Sequence, residues 1–316
     1  MGLAAGFALA GRIPVVYMQN DGYGNAVNPL SSLQLMYKLP ALMLISWRAE
    51  PGKKDAAQHQ IMGDTIRQLL ELFDIPFIVP ERENINKAII EARNYIQKQS
   101  KPFALIFKKG FFESYKTKGY DQNNNLKIRL DYLNVLKISV KQDDILLGST
   151  GFSGRELYQT FENKGKFYMM GSMGCLPAIG LGLAIEKPDK RIFLIDGDGA
   201  LLMKMGSLST VGHYSPNNLI HICFDNQNYE STGGQPTTSP STDFAAIASA
   251  CGYKTVNLIT DLNNFEAIIA KIDTMEKPCF LHIKVKSGSL DQLTRPSNTP
   301  EQMKDELMRF LNMDYS

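Results

Sequence analysis

The sequence predicts an α/β protein built from two doubly wound parallel-sheet domains. Short apolar runs alternate with amphipathic stretches along most of the chain, the pattern of strands covered on both faces by crossover helices. A polar, basic stretch from Lys108 to Lys141 interrupts the alternation, and a new series starts just after it. The 316 residues are 44% hydrophobic and 21% charged, enough apolar matter for two cores without disulfide or metal staples.

In the first series, Ile13–Tyr17, Ala41–Ser46, Pro76–Val79 and Phe103–Phe107 read as buried strands. Ile85, Ile89, Ala92 and Ile96 recur at helical spacing, so Asn84–Gln97 is expected to be a helix, as is Ile61–Phe73. This domain is expected to span residues 1–112. Residues 113–140 read as a connection, with the polar run Tyr120-Asp121-Gln122-Asn123-Asn124-Asn125 and a short helix near Arg129–Leu136. The second domain is expected at 141–316. Its strands are read at Ile145–Gly148, Phe167–Met170, Arg191–Ile195, Leu219–Phe224, Lys254–Val256 and Phe280–Val285. Its helices are read at Arg155–Glu162, Pro177–Ile185, Leu201–His213, Asp243–Cys251 and Asp261–Ile272. A C-terminal helix starts at Thr299-Pro300-Glu301-Gln302, where Thr caps, Pro suits the first turn and Gln closes a capping box.

Composition excludes several function classes. Lys and Arg number 34 against 32 Asp and Glu, a net charge of +2 without the basic stripe of a nucleic-acid binder. The four cysteines lie too far apart for a zinc ribbon or a C-x-x-C pair and fit a reducing cytoplasm. The apolar stretch Leu3–Tyr17 is broken by Arg12 and Pro14 and lacks the basic front of a signal peptide. A cytoplasmic protein without membrane or nucleic-acid partners is therefore expected.

The sharpest chemical signal is Gly197-Asp198-Gly199 at the end of one apolar strand, followed at the end of the next by Asp225-Asn226-Gln227-Asn228. A carboxylate and an amide past neighbouring strands share the carboxyl edge of a parallel sheet, where ligands of open α/β sheets bind. Asp198, the Asn226 amide carbonyl and the Asn228 backbone carbonyl are hard oxygen donors that suit Mg2+ beside phosphate oxygens. Upstream, Gly148-Ser149-Thr150-Gly151 joins a strand to a helix and makes a phosphate site. Gly22-Tyr23-Gly24 lacks the third glycine of a dinucleotide fingerprint, which disfavours a dehydrogenase. Arg48, just past a strand, could clamp an anion or form a surface ion pair. His59, in a loop, could relay protons or be an ordinary surface histidine. His213, His221 and His282 read as structural.

These residues resemble a family. The Gly197-Asp198-Gly199…Asn226 pattern looks like the thiamin-diphosphate binding motif of the 2-oxo-acid decarboxylases. Ser231-Thr232-Gly233-Gly234-Gln235-Pro236-Thr237, Gln19–Leu30, Trp47–Gly52 and Gln58-His59 resemble the subgroup acting on phosphonopyruvate closely and that acting on sulfopyruvate less closely. The resemblance runs from Gly2 to about Leu311. It implies a pyrimidine-binding domain at 1–112 and a diphosphate-binding domain at 141–316. It implies cofactor contacts by Gly22, Gly24, Asn25, Thr150, Gly151, Gly171, Ser172, Met173, Gly197, Asp198, Gly199, Ala200, Asn226 and Tyr229. Met173 is expected to prop the cofactor in a bent shape. Metal ligation is expected from Asp198, Asn226 and Asn228, and substrate work from His59 and Arg48. The implied activity is thiamin-diphosphate- and Mg2+-dependent decarboxylation of 3-phosphonopyruvate to phosphonoacetaldehyde and carbon dioxide, in a homodimer or higher homo-oligomer. Sulfopyruvate is the alternative substrate.

The resemblance also sets one expectation about the start of the chain. In this family a glutamate a few residues before the Gly2–Ala8 segment protonates the aminopyrimidine. That glutamate, with a first strand and helix, is expected ahead of Met1. Otherwise the chain is expected to bind cofactor but to be catalytically impaired.

Overall fold

The computed structural model describes residues 1–115, 124–290 and 292–312. The chain divides into two compact units, Met1–Tyr115 and Lys116–Ser316.

The first unit runs α1 (Gly2–Leu9), β1 (Val15–Gln19), α2 (Asn20–Pro29), β2 (Leu42–Ser46), α3 (Gln60–Leu72), β3 (Phe77–Ile78), α4 (Ile85–Gln99) and β4 (Phe103–Phe107). Its sheet is parallel with order β1-β2-β4-β3. Side chains alternate across the pleat with period two. Met43, Ile45, Ala104 and Ile106 pack with Ile66 and Leu70 of α3 on one face. Phe103, Leu105 and Phe107 pack with Ala88, Ala92 and Ile96 of α4 on the other. Helices α1 and α2 were not expected. The first is apolar nearly all round and the second is rich in Gly and Asn, so neither carries a helical periodicity.

The second unit runs α5 (Arg129–Ser139), β5 (Ile145–Gly148), α6 (Phe152–Thr160), β6 (Lys166–Tyr168), α7 (Leu176–Glu186), β7 (Ile192–Gly197), α8 (Asp198–Met203), α9 (Ser207–Tyr214), β8 (Leu219–Asp225), a small hairpin of β9 (Asn228–Tyr229) and β10 (Gln235–Pro236), α10 (Phe244–Ala250), β11 (Thr255–Ile259), α11 (Leu262–Ile269), β12 (Cys279–Lys284) and α12 (Pro300–Phe310). Six parallel strands take the order β11-β12-β8-β7-β5-β6. Phe193, Ile195, Ile220 and Ile222 face a core with Leu157 of α6 and Phe265 of α11. Ile192, Leu194, Leu219 and Cys223 face the opposite core with Leu181 of α7 and Leu208 of α9.

Two readings change here. Helix α5 is no part of a connection: Tyr132, Leu133 and Leu136 are fully buried in the core of the second unit. Residues 116–123 of the expected connection lie outside the described residues and take most of the polar run with them. The helix expected at Leu201–His213 is two helices, α8 and α9, because Lys204 leaves the helical region and Gly206 starts the next helix. The capping box of α12 forms as read: Thr299 accepts from the Gln302 amide and Gln302 accepts from that of Thr299.

Candidate active site

In the second unit the chain leaves β5 toward β6 at the edge, then crosses back through α7 to β7 on the other side of β5. That reversal opens a crevice at the carboxyl ends of β5 and β7, the switch point where open α/β sheets bind ligands. The turn Gly148–Gly151 and the Gly197–Gly199 turn flank it. A Cβ at Gly148 would meet the Gly154 backbone at 2.7 Å, so glycine is what lets α6 sit so close to β5. Gly151 takes a φ of +96° at the start of α6, and no side chain caps that helix. The uncapped N-terminus leaves amides and the positive end of the helix dipole for an anion. Thr150 braces the turn by donating its hydroxyl to the Met170 carbonyl at 2.9 Å.

Asp198 is the first residue of α8 and is 3% exposed. Burial, and then the charge of Asp225, push its carboxyl up to about 7, against partial relief from the Thr237 hydroxyl that donates to it at 2.6 Å. Asp225, at the end of β8, is held down at about 2 even though it is buried, because His282, Lys284 and the Ser239 hydroxyl all bond to it. The Asn226 Oδ1 accepts from the Asn228 amide at 3.1 Å while its Nδ2 donates to Glu230 at 3.0 Å. Asn228 lies opposite Pro236 in the hairpin, next to the hydrogen-bonded pair in which the Thr237 amide donates to the Gln227 carbonyl at 2.8 Å, so its own carbonyl points away from the partner strand. The Asn228 Oδ1 is buried with no partner among the described residues. These oxygens and the deficit of positive charge beside Asp198 fit a hard divalent cation. No cluster of three His, Cys, Asp or Glu able to hold a metal is found among the described residues, so such a site would be carboxylate, amide and carbonyl in character.

Three of the residues expected to contact the cofactor also lie together. A Cβ on Gly199 would strike the Tyr229 ring at 2.4 Å and lie 3.4 Å from the Met173 methyl, so Gly199, Tyr229 and Met173 converge. Gly174, at a φ of +89°, backs onto the Ala200 carbonyl. This places the Gly171-Ser172-Met173 turn against α8.

Gly22, Gly24 and Asn25 lie on α2 of the first unit, with Gly24 and Asn25 exposed. Asn20 and Arg48 clasp the ends of β1 and β2 through paired side-chain and backbone bonds of 3.0 and 2.9 Å. Arg48 does not stand free: its Nε and Nη2 donate to Asp55 at 2.8 and 2.6 Å, and this ion pair pulls the Asp55 carboxyl far below the usual carboxylate range. His59 is not a surface histidine. It is 8% exposed at the start of α3, and its Nδ1 bonds to Asp21 at 2.5 Å.

Sequence reading missed Thr237, Asp225, Asp21, Asp55 and Glu230 as site residues, although all but Asp55 lie inside or beside the motifs that carried the resemblance. It read His221 and His282 as structural, which fits their burial, but without naming their partners. His221 lies against Asp196 at 3.3 Å and Tyr253 at 3.2 Å, and His282 against Asp225 at 2.9 Å. Strand pairing makes these contacts, so sequence spacing holds no sign of them.

Residues 148–283 match the family "Thiamine pyrophosphate enzyme, C-terminal TPP binding domain". The chain is 33% identical to phosphonopyruvate decarboxylase of Streptomyces viridochromogenes, across 98% of this chain and 82% of that protein. This chain belongs to the thiamin-diphosphate-dependent decarboxylases. Sulfopyruvate decarboxylase of Methanosarcina acetivorans is 29% identical, across 98% of this chain and 84% of its own length. Two subunits of the Methanocaldococcus jannaschii sulfopyruvate decarboxylase match separately. Its beta subunit is 41% identical over 44% of this chain and 73% of that subunit, and its alpha subunit 37% over 35% of this chain and 66% of that subunit. As a decarboxylase of this family the protein is a carboxy-lyase that takes thiamin diphosphate. No helix among the described residues is long and apolar enough to cross a membrane.

Proposed function

We propose that this decarboxylase converts 3-phosphonopyruvate to phosphonoacetaldehyde and carbon dioxide, with Mg2+ as second cofactor. The observation that carries the substrate reading is the likeness to phosphonopyruvate decarboxylase along 98% of the chain. Asp198, the Asn226 Oδ1 and the Asn228 carbonyl hold Mg2+, and the N-terminus of α6 holds the diphosphate. Met173, Gly199, Ala200 and Tyr229 shape the wall beside the ring. When bound, thiamin diphosphate supplies a cationic ring that takes the electron pair released as carbon dioxide departs, a sink no side chain offers.

The charged cluster of the first unit handles substrate. Asp21 fixes the His59 imidazole with its proton on Nδ1, which leaves the Nε2 lone pair to take or return a proton. Asp55 orients the Arg48 guanidinium through Nε and Nη2, so Nη1 is the edge that meets the phosphonate. Gly22, Gly24 and Asn25 contact the cofactor, as the resemblance implies. The assembly is a homodimer or a larger homo-oligomer, and the protein works in the cytoplasm.

Sulfopyruvate is the second reading, favoured by the likeness to the Methanosarcina acetivorans enzyme. A phosphonate carries more negative charge than a sulfonate at neutral pH, so the two substrates test the anion site directly. With thiamin diphosphate and Mg2+ present, kcat/KM for phosphonopyruvate is expected to exceed that for sulfopyruvate by at least about tenfold, which is 1.4 kcal/mol of transition-state discrimination. Proton NMR of the two aldehyde products reads the outcome. A reversed ratio assigns the protein to sulfopyruvate.

A further inference from the structure

Asn226 can serve a cation only through its amide oxygen, yet an amide oxygen and nitrogen are nearly the same size and exchange places by a simple rotation. Two bonds decide the orientation here. The Asn228 backbone N–H donates to Oδ1 at 3.1 Å, and Nδ2 donates to the Glu230 carboxylate at 3.0 Å. Glu230 is itself fixed. Its Oε1 accepts from the Gly288 amide at 2.6 Å, and its Oε2 lies 3.5 Å from Nη1 of Arg129. Arg129, with a side chain only 4% exposed, donates Nε to Glu156 at 2.6 Å. Glu156, fully buried on α6, takes the Leu290 amide at 3.3 Å. One buried cation thus joins two carboxylates, and both carboxylates hold the segment that follows β12.

We infer that Glu230, locked by Arg129 and Glu156, is a positioning residue for the metal centre: it holds the Asn226 amide so that oxygen, not nitrogen, is presented to the divalent cation. The inference rests on the reading of Asn226 as a metal ligand. Glu230 touches neither metal nor substrate. It works by accepting from Nδ2, a bond that a flipped amide would replace with two oxygens facing each other. The arrangement also explains why an amide stands there rather than a carboxylate. An aspartate at 226 would put a second negative oxygen against Glu230.

The test is titration calorimetry of the full chain with Mg2+ at saturating thiamin diphosphate. Glu230→Gln leaves Arg129 its Glu156 partner but weakens one of the two bonds that orient the residue 226 amide, since a glutamine oxygen or nitrogen can face it. Loss of a group that orients a metal ligand typically costs about 10–100-fold in metal affinity, so Mg2+ binding is expected to weaken by about that factor. The activity lost at low Mg2+ is expected to recover as Mg2+ is raised, a split that a general folding defect would not produce. Asn226→Asp is expected to bind Mg2+ worse than the wild type, and the double variant Asn226→Asp, Glu230→Gln is expected to bind it better than Asn226→Asp alone, because the glutamine amide can then donate to the new carboxylate. Asn226→Ala separates the two claims. If Asn226→Ala leaves Mg2+ affinity unchanged, the metal-centre reading fails. If Asn226→Ala weakens Mg2+ binding and Glu230→Gln does not, the metal centre stands and the positioning role is overturned. Tighter Mg2+ binding by Asn226→Asp alone would likewise overturn it.

Discussion

At the carboxyl end of the first sheet, Arg48 has Asp55 within 2.6 Å and His59 has Asp21 within 2.5 Å. At the carboxyl end of the second sheet, Asp225 has Lys284 and His282, but Asp198 next to it has, among the described residues, only a hydroxyl and backbone amides. Both clusters hang on turns past neighbouring parallel strands. They differ in that the first is balanced in partners, each carboxylate bonded to a side-chain nitrogen, while the second leaves buried Asp198 with no cationic or imidazole partner among the described residues. A balanced cluster is preorganised to meet substrate with groups already oriented. An unbalanced one gains most from a ligand that brings positive charge.

The comparison breaks if the first cluster turns out to serve cofactor binding. His59→Ala is expected to lower kcat by about a hundredfold to ten-thousandfold, the usual cost of a positioned acid–base group, with thiamin diphosphate affinity unchanged. Steady-state kinetics beside a cofactor titration measures both. Arg48→Ala is expected to raise KM for phosphonopyruvate by about tenfold, at the lower end of a charge-assisted bond, and to leave pyruvate nearly unaffected. Equal losses on both substrates would reduce Arg48 to a brace for Asp55.

The second cluster makes a smaller prediction about the apoprotein. Asp198 titrates near 7 when folded and near 3.8 in a free chain. An acid raised in the folded state favours folding below its unfolded value, and that benefit is lost as pH climbs through the folded value. Asp198→Asn has no proton to lose there. Its apoprotein is therefore expected to melt with the wild type near about pH 4 and above it near about pH 8, by a few degrees. Melting curves at the two pH values without metal check it, and a gap of the opposite sign would show that Asp198 is already compensated.

The strands were legible because each is short, apolar and bounded by a turn; Ile145–Gly148 and Phe103–Phe107 fall where the pattern puts them. Helix α5 was legible as a helix but not as core, since its buried face shows only against α6 and α11. Asp198 and Asn226 could be read because they sit just past adjacent strands. Glu230, Thr237 and Asp21 could not be given roles. Their partners lie across a hairpin, a sheet edge or a helix start, and no local period connects them. Arg48 could be read as an anion clamp or an ion pair, but its partner could not be named, because Asp55 is seven residues away in an irregular turn.

The central claim is that Asp198 needs a cation to hold the diphosphate. Calorimetric titration of thiamin diphosphate into wild type and Asp198→Ala, each with Mg2+ and with chelator, tests it most directly. The expected result is binding only by wild type with Mg2+, and a loss of more than about a hundredfold in the other three arms, above the cost of losing a group that merely orients a ligand. Equal affinity in Asp198→Ala, or in wild type with chelator, would contradict the account.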